Sequence, residues 1–131
     1  MIGLDTNLLV RLLTADEPVQ LKAGARLLAA HDGQAGAFFV NDMVLVELVG
    51  VLGRLNGYAP AEALIAIASL LDSDAFGFED RDRLSHALGL CKAQRCAFAD
   101  TMIALRNVAA GCEHTATFDT AMRGLPDMRL I

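Results

Sequence analysis

The chain has 131 residues, of which 54% are hydrophobic and 21% charged, and a net charge of −5. That length fits one domain, residues 1–131, with enough chain to bury a real core. The acidic balance, with only Lys22 and Lys92 as lysines, excludes a broad basic face for nucleic acid, so a polyanionic substrate would need metal ions, a few arginines or a second subunit to offset repulsion.

Ile2 to Leu4 is an apolar run too short for a helix, and it ends in Asp5. Thr6-Asn7 and the helical spacing of Leu8, Leu9, Leu12 and Leu13 follow at once. This predicts a buried strand that delivers one carboxylate to its C-terminal edge, where open α/β sheets gather their ligands. The ordinary role for Asp5 is to cap the helix that begins at Thr6. Asp16-Glu17-Pro18 starts a second helix, with Leu21, Ala25 and Leu28 as its apolar stripe.

Ala37 to Val40 is a second short strand, and Asn41-Asp42 opens a helix from about Met43 to Asn56, closed by Gly57. Ala59-Pro60 opens a fourth helix, to about Leu71, and Ala75 to Phe78 is a third strand. Asp80 is expected to cap a helix with Leu84, Ala87, Leu88 and Cys91 on one face. Phe98 to Ala110 is a further helix, Cys112 to Phe118 a fourth strand, and Met128 to Ile131 a fifth at the edge. Such alternation predicts an α/β fold: a central parallel sheet of four to five strands, flanked by helices on both faces.

The longest apolar runs, such as Ala63 to Leu71, are too short to span a bilayer. Asp5 interrupts any signal-peptide core, so a cytoplasmic protein is expected. Cys91, Cys96 and Cys112 show no zinc-ligand spacing and read as reduced, mostly buried thiols.

Three further acids stand in apolar company. Glu47 lies in Met43-Val-Leu-Val-Glu-Leu-Val-Gly-Val-Leu52, and no residue one turn away is basic, so the usual helical ion pair has no partner. Asp100, in Phe98-Ala-Asp-Thr-Met-Ile-Ala104, also lacks a cation one turn away, although an acid near a helix start is favoured by the macrodipole. Asp119 follows a strand and reads equally as a site residue or as the cap of a short turn, with Arg123 as a possible ion-pair partner. Four carboxylates projected to one place need a counter-charge. Oxygen donors without His or Cys suit Mg²⁺ or Mn²⁺ rather than zinc. Such a cluster can activate water and steady an in-line phosphoryl displacement. The hydroxyls of Thr6 and Thr117 either support this site or satisfy local turns.

The segments Gly3-Leu-Asp-Thr-Asn-Leu-Leu-Val10, Val44-Leu-Val-Glu-Leu48, Phe98-Ala-Asp-Thr-Met-Ile-Ala104 and Thr117-Phe-Asp119 together resemble the PIN-domain ribonucleases, and within them VapC-type toxins of toxin–antitoxin pairs. The resemblance covers nearly the whole chain. It implies Asp5, Glu47, Asp100 and Asp119 as an acidic pocket for Mg²⁺ or Mn²⁺, with Asn7 and Thr117 in support. It also implies RNA cleavage, homodimers and a VapB-type antitoxin that blocks the site. The chain departs from the pattern at Cys96-Ala97, where related chains often carry a further acid, and at Thr120-Ala121, where a charged residue is common.

Leu64, Ile65, Ile67, Leu70 and Leu71 make the fourth helix apolar nearly all round, which suits either core or a partner surface shared with Leu8-Leu9 and Val49 to Leu52. Arg11, Arg95 and Arg123 are candidates for phosphate contact. Rival functions are a catalytically inactive RNA- or protein-binding module and a processing nuclease without an antitoxin. A haloacid-dehalogenase-like phosphatase ranks below them, because its second acid would fall at Asn7.

Overall fold

The computed structural model describes all residues, Met1–Ile131, and its contacts divide them into two compact units, Met1–Arg81 and Asp82–Ile131. The first unit runs β1 (Ile2–Gly3), α1 (Thr6–Thr14), α2 (Pro18–Ala29), β2 (Phe38–Val40), α3 (Asp42–Asn56), α4 (Pro60–Asp72) and β3 (Phe76–Phe78). The three strands form one parallel sheet in the order β1-β2-β3, with Phe38 opposite both Ile2 and Phe76. Parallel neighbours need crossover connections, and a pair of helices supplies each one. Bonds just outside the assigned strands lengthen the ladders: Ile2 N donates to Ala37 O at 2.8 Å and Leu4 N to Phe39 O at 2.9 Å.

Polar side chains at the helix starts set where each helix begins. Asn41 accepts from Val44 N, and Glu17 accepts from Gln20 N beside Pro18. Glu62 reaches back to Ala59 N at 3.0 Å. Gly57 takes the left-handed conformation that closes α3, at φ 70°. Phe38, Val40, Leu9, Leu45, Leu48, Leu52 and Ile67 are the largest fully buried side chains here. The apolar excess of α4 goes mainly to this core, since Ala63, Ala66, Ile67 and Leu70 are buried while Ile65 stays 66% exposed.

The second unit carries α5 (Arg81–Gln94), which begins at the boundary, then α6 (Phe98–Ala109), β4 (Thr115–Thr117), a 3-10 turn (Thr120–Met122) and β5 (Met128–Leu130). β4 and β5 pair in parallel, Thr115 opposite Met128 and Thr117 opposite Leu130. Leu84, Ala87, Thr101, Met102 and Ala104 are buried, and Cys96, Ala104, Met122 and Leu125 pack together against Met128.

The α/β class and the parallel strands are those expected from the sequence. The pairing is finer than expected: five strands form a three-stranded and a two-stranded sheet, not one ladder of four or five. With strands of two or three residues, each ladder extends only as far as its partner does. β4 is correspondingly shorter than the stretch from Cys112 to Phe118. All three cysteines are free, Cys91 and Cys96 buried and Cys112 exposed. No helix is long and apolar enough to cross a membrane.

Candidate functional site

In the first unit, β1 ends and Asp5 turns the chain into α1. Its backbone is extended, and its Oδ1 accepts from Leu8 N at 3.0 Å, so Asp5 does cap the helix. Only one carboxylate oxygen is spent in this way. The residue is exposed, and its second oxygen has no hydrogen-bond partner. At the next strand end, Asn41 repeats the arrangement by capping α3 through Val44 N at 2.9 Å. Glu47 stands one turn into α3, exposed, and makes no hydrogen bond or ion pair. The nearest basic residue along that helix, Arg54, lies back over Gly50, where an added Cβ would meet its guanidinium at 2.8 Å.

A cavity of about 300 Å³ is lined by Asp5, Thr6, Asn7, Asn41, Met43, Val44 and Glu47. It therefore joins the two acids singled out in this unit with two of the supporting residues, Thr6 and Asn7. The N-termini of α1 and α3 both open on it. Their partial positive charges favour anionic groups there. Asn41 and Met43 are lining residues that sequence reasoning missed. Asn41 read only as a cap, and nothing in its spacing marks the cavity.

A third missed residue is Asp42, which looked like an ordinary acid at a helix start. It is 3% exposed, and its backbone N–H donates to Glu79 Oε2 at 2.9 Å, joining the start of α3 to the residue after β3. Arg11, a candidate for phosphate contact, is engaged within its own unit. Its Nη1 lies 3.2 Å from Asp16 Oδ1, and its Nε donates to Gln20 Oε1 at 2.7 Å. It lines an adjoining cavity of about 310 Å³ that shares Asn7 with the acidic one.

In the second unit, Asp100 is the third residue of α6 and half-buried. Ala97 is the cap residue and no side chain caps this helix, so capping does not account for Asp100. The macrodipole still favours its charge. Asp119 does cap: its Oδ1 accepts from Ala121 N at 2.9 Å and starts the 3-10 turn. Thr117 Oγ1 accepts from Asp119 N at 3.0 Å and donates to Met122 Sδ, so its hydroxyl shapes the turn that carries Asp119. Arg123 is exposed and closes the 3-10 turn.

Asp100 and Asp119 both act on Cys96. Burial pushes that thiol up from its ordinary range, and the negative charges of Asp100 and then Asp119 push it further. Its Sγ donates to Ala121 O at 3.3 Å, beside the Asp119 cap. A thiol held neutral is a poor metal ligand, because the thiolate is the form that binds.

Each unit thus presents a pair of carboxylates, and within neither do three or more His, Cys, Asp or Glu side chains gather closely enough to hold an ion. The donors present are hard oxygens: one free oxygen each on Asp5 and Asp119, and both on Glu47 and Asp100. That donor set fits Mg²⁺ or Mn²⁺ and does not suit a soft metal. The family profile described as PIN domain matches residues 2–127 of the chain. No curated protein matches it significantly.

Proposed function

Because the chain belongs to the PIN-domain family, a nuclease-type fold, we propose that it is a cytoplasmic Mg²⁺- or Mn²⁺-dependent endoribonuclease and the toxin of a toxin–antitoxin pair. The observation that carries the proposal is the cavity shared by Asp5 and Glu47, the latter with no protein partner. A divalent cation that both carboxylates can bind gives these two exposed acids a shared role.

In this reading Asp5 and Glu47 would hold an ion at their cavity in the first unit, and Asp100 and Asp119 supply the further carboxylates that the family resemblance implies as ligands. The bound ion would polarise a phosphoryl oxygen and acidify a water. Asp119, with one oxygen left free by its cap, would either complete the ligand set or position the attacking water. Asp5, fixed by its bond to Leu8 N, keeps one oxygen on the cavity. Asn7, with no partner of its own, is left to donate to a phosphate. The net charge of −5 agrees with a site that relies on a metal to neutralise RNA.

The toxin role, a VapB-type antitoxin and a homodimer follow from the resemblance of the four acidic segments. The exposed Ile65 on α4 is one apolar residue available to such a partner. Expressing the chain alone should arrest growth, and Glu47→Gln should relieve the arrest at equal protein level. Normal growth with the unaltered protein accumulating would contradict the toxin role.

A further inference from the structure

The chain has six phenylalanines, and five of them are at least partly covered. Phe38, Phe76 and Phe98 are buried, and Phe39 and Phe78 are half-buried. Phe118 is different. It is 83% exposed, and it is the residue immediately before Asp119.

The backbone that presents the ring is tied on both sides. Thr117 is held by β-pairing, with Ile131 N donating to Thr117 O at 3.0 Å. Asp119 N donates to Thr117 Oγ1, a bond that spans Phe118, and Asp119 Oδ1 then accepts from Ala121 N. A large apolar ring is therefore displayed to water on a pre-ordered turn, so a partner meets little further ordering cost. No local packing explains its exposure.

We propose that Phe118 is a platform on which an unpaired RNA base stacks next to the phosphate that is cut, an inference that rests on the nuclease reading of Asp119. Phe118 is the chain neighbour of Asp119, with consecutive Cα atoms about 3.8 Å apart, so a base flanking a phosphate held at Asp119 is within reach of the ring. Unstacked bases of single-stranded RNA are commonly held on aromatic side chains, and such stacking tolerates any base. It also supplies affinity that does not depend on ion pairs, in a chain of net charge −5. Phe118 then sets how the substrate lies while the carboxylates do the chemistry.

The chain contains no tryptophan, so Phe118→Trp places a single indole at this position. The full-length variant is titrated in EDTA with single-stranded oligoadenylate, with a duplex RNA and with inorganic phosphate. The proposal expects quenching by the single strand alone. Phe118→Ala should bind that strand roughly ten- to hundred-fold more weakly, with Phe118→Tyr close to the unaltered protein. In cleavage assays with metal, Phe118→Ala should raise KM and leave kcat nearly unchanged. Absence of quenching, or equal affinity of Phe118→Ala, would overturn the proposal. So would a blue shift that follows protein concentration without RNA, because the ring would then be a contact between copies of the chain. Quenching by a protein that cuts nothing with Mg²⁺ or Mn²⁺ would support stacking and remove the nuclease reading alone. Cleavage with normal KM in Phe118→Ala would do the reverse.

Discussion

Asp5 Oδ1 accepts from Leu8 N at 3.0 Å, and this one bond separates the structural task of Asp5 from its chemical one. Asparagine caps a helix about as well as aspartate, whereas alanine does not. Asp5→Asn should therefore fold with stability within about 0.5 kcal/mol of the unaltered chain and lose cleavage. Asp5→Ala should also lose cleavage and in addition about 1 kcal/mol of stability. Urea denaturation of the two variants tests this, and equal destabilisation would mean that the charge, not the cap, holds the start of α1.

Glu47 makes the opposite case, since no bond in the fold depends on it. Glu47→Gln should leave thermal stability unchanged or raise it slightly, and lower cleavage by at least about 10- to 100-fold, the range for groups that only support a ligand. Mn²⁺ at about 100 times its dissociation constant stabilises a folded protein by about 2.7 kcal/mol. That gain should appear in the melting temperature of the unaltered chain and shrink in the variant. Equal Mn²⁺ stabilisation of both would remove Glu47 from the metal site.

Much of this was legible before any coordinates. Glu47 and Asp100 stood out because no residue at helical spacing could pair with them, and Asp5 because it ends a short apolar run; local features of that kind are visible in one sequence. Helix starts at Asp5, Pro18, Asn41 and Pro60 were legible for the same reason: caps are local chemistry. Non-local features were not legible. The burial of Asp42 depends on surroundings such as Glu79, 37 residues away, which its place at a helix start does not reveal. The split into two sheets depends on which short strand finds which partner, and strands of two or three residues carry no periodicity to announce it. Asp119 was balanced between cap and site. The structure shows the cap, and one oxygen left over.

Cys112 should react well before Cys91. Cys112 is exposed, whereas Cys91 is buried and its Sγ donates to Thr101 Oγ1 at 3.4 Å. Burial pushes the Cys91 thiol up, the Thr101 bond opposing it in part, so the folded state prefers the neutral form. Stability from that preference is intact below the ordinary value of 9.0 and is lost as pH rises above it, because the unfolded chain ionises first. Iodoacetamide at neutral pH should label Cys112 quickly and Cys91 only on unfolding, as mass spectrometry would read. Equal rates would contradict the buried position of Cys91.

Arg11 should matter little to RNA. Its guanidinium is held by Asp16 and Gln20, and the Asp16 carboxyl is held below its usual range mainly by the Thr14 hydroxyl, with Arg11 adding to it. Arg11→Ala should leave the salt dependence of RNA binding unchanged, while Arg123→Ala should make it shallower by about one unit of slope if the exposed Arg123 meets a phosphate. Filter binding at several salt concentrations separates the two.

The central claim is that these carboxylates cut RNA with a divalent ion. The most direct measurement incubates the purified, antitoxin-free chain with total RNA in Mg²⁺, in Mn²⁺ and in EDTA, beside Asp5→Asn. The account predicts discrete fragments that require the metal and vanish in the variant. Intact RNA in every lane, from a chain that Mn²⁺ demonstrably stabilises, or fragments that persist in EDTA or in Asp5→Asn, would contradict it.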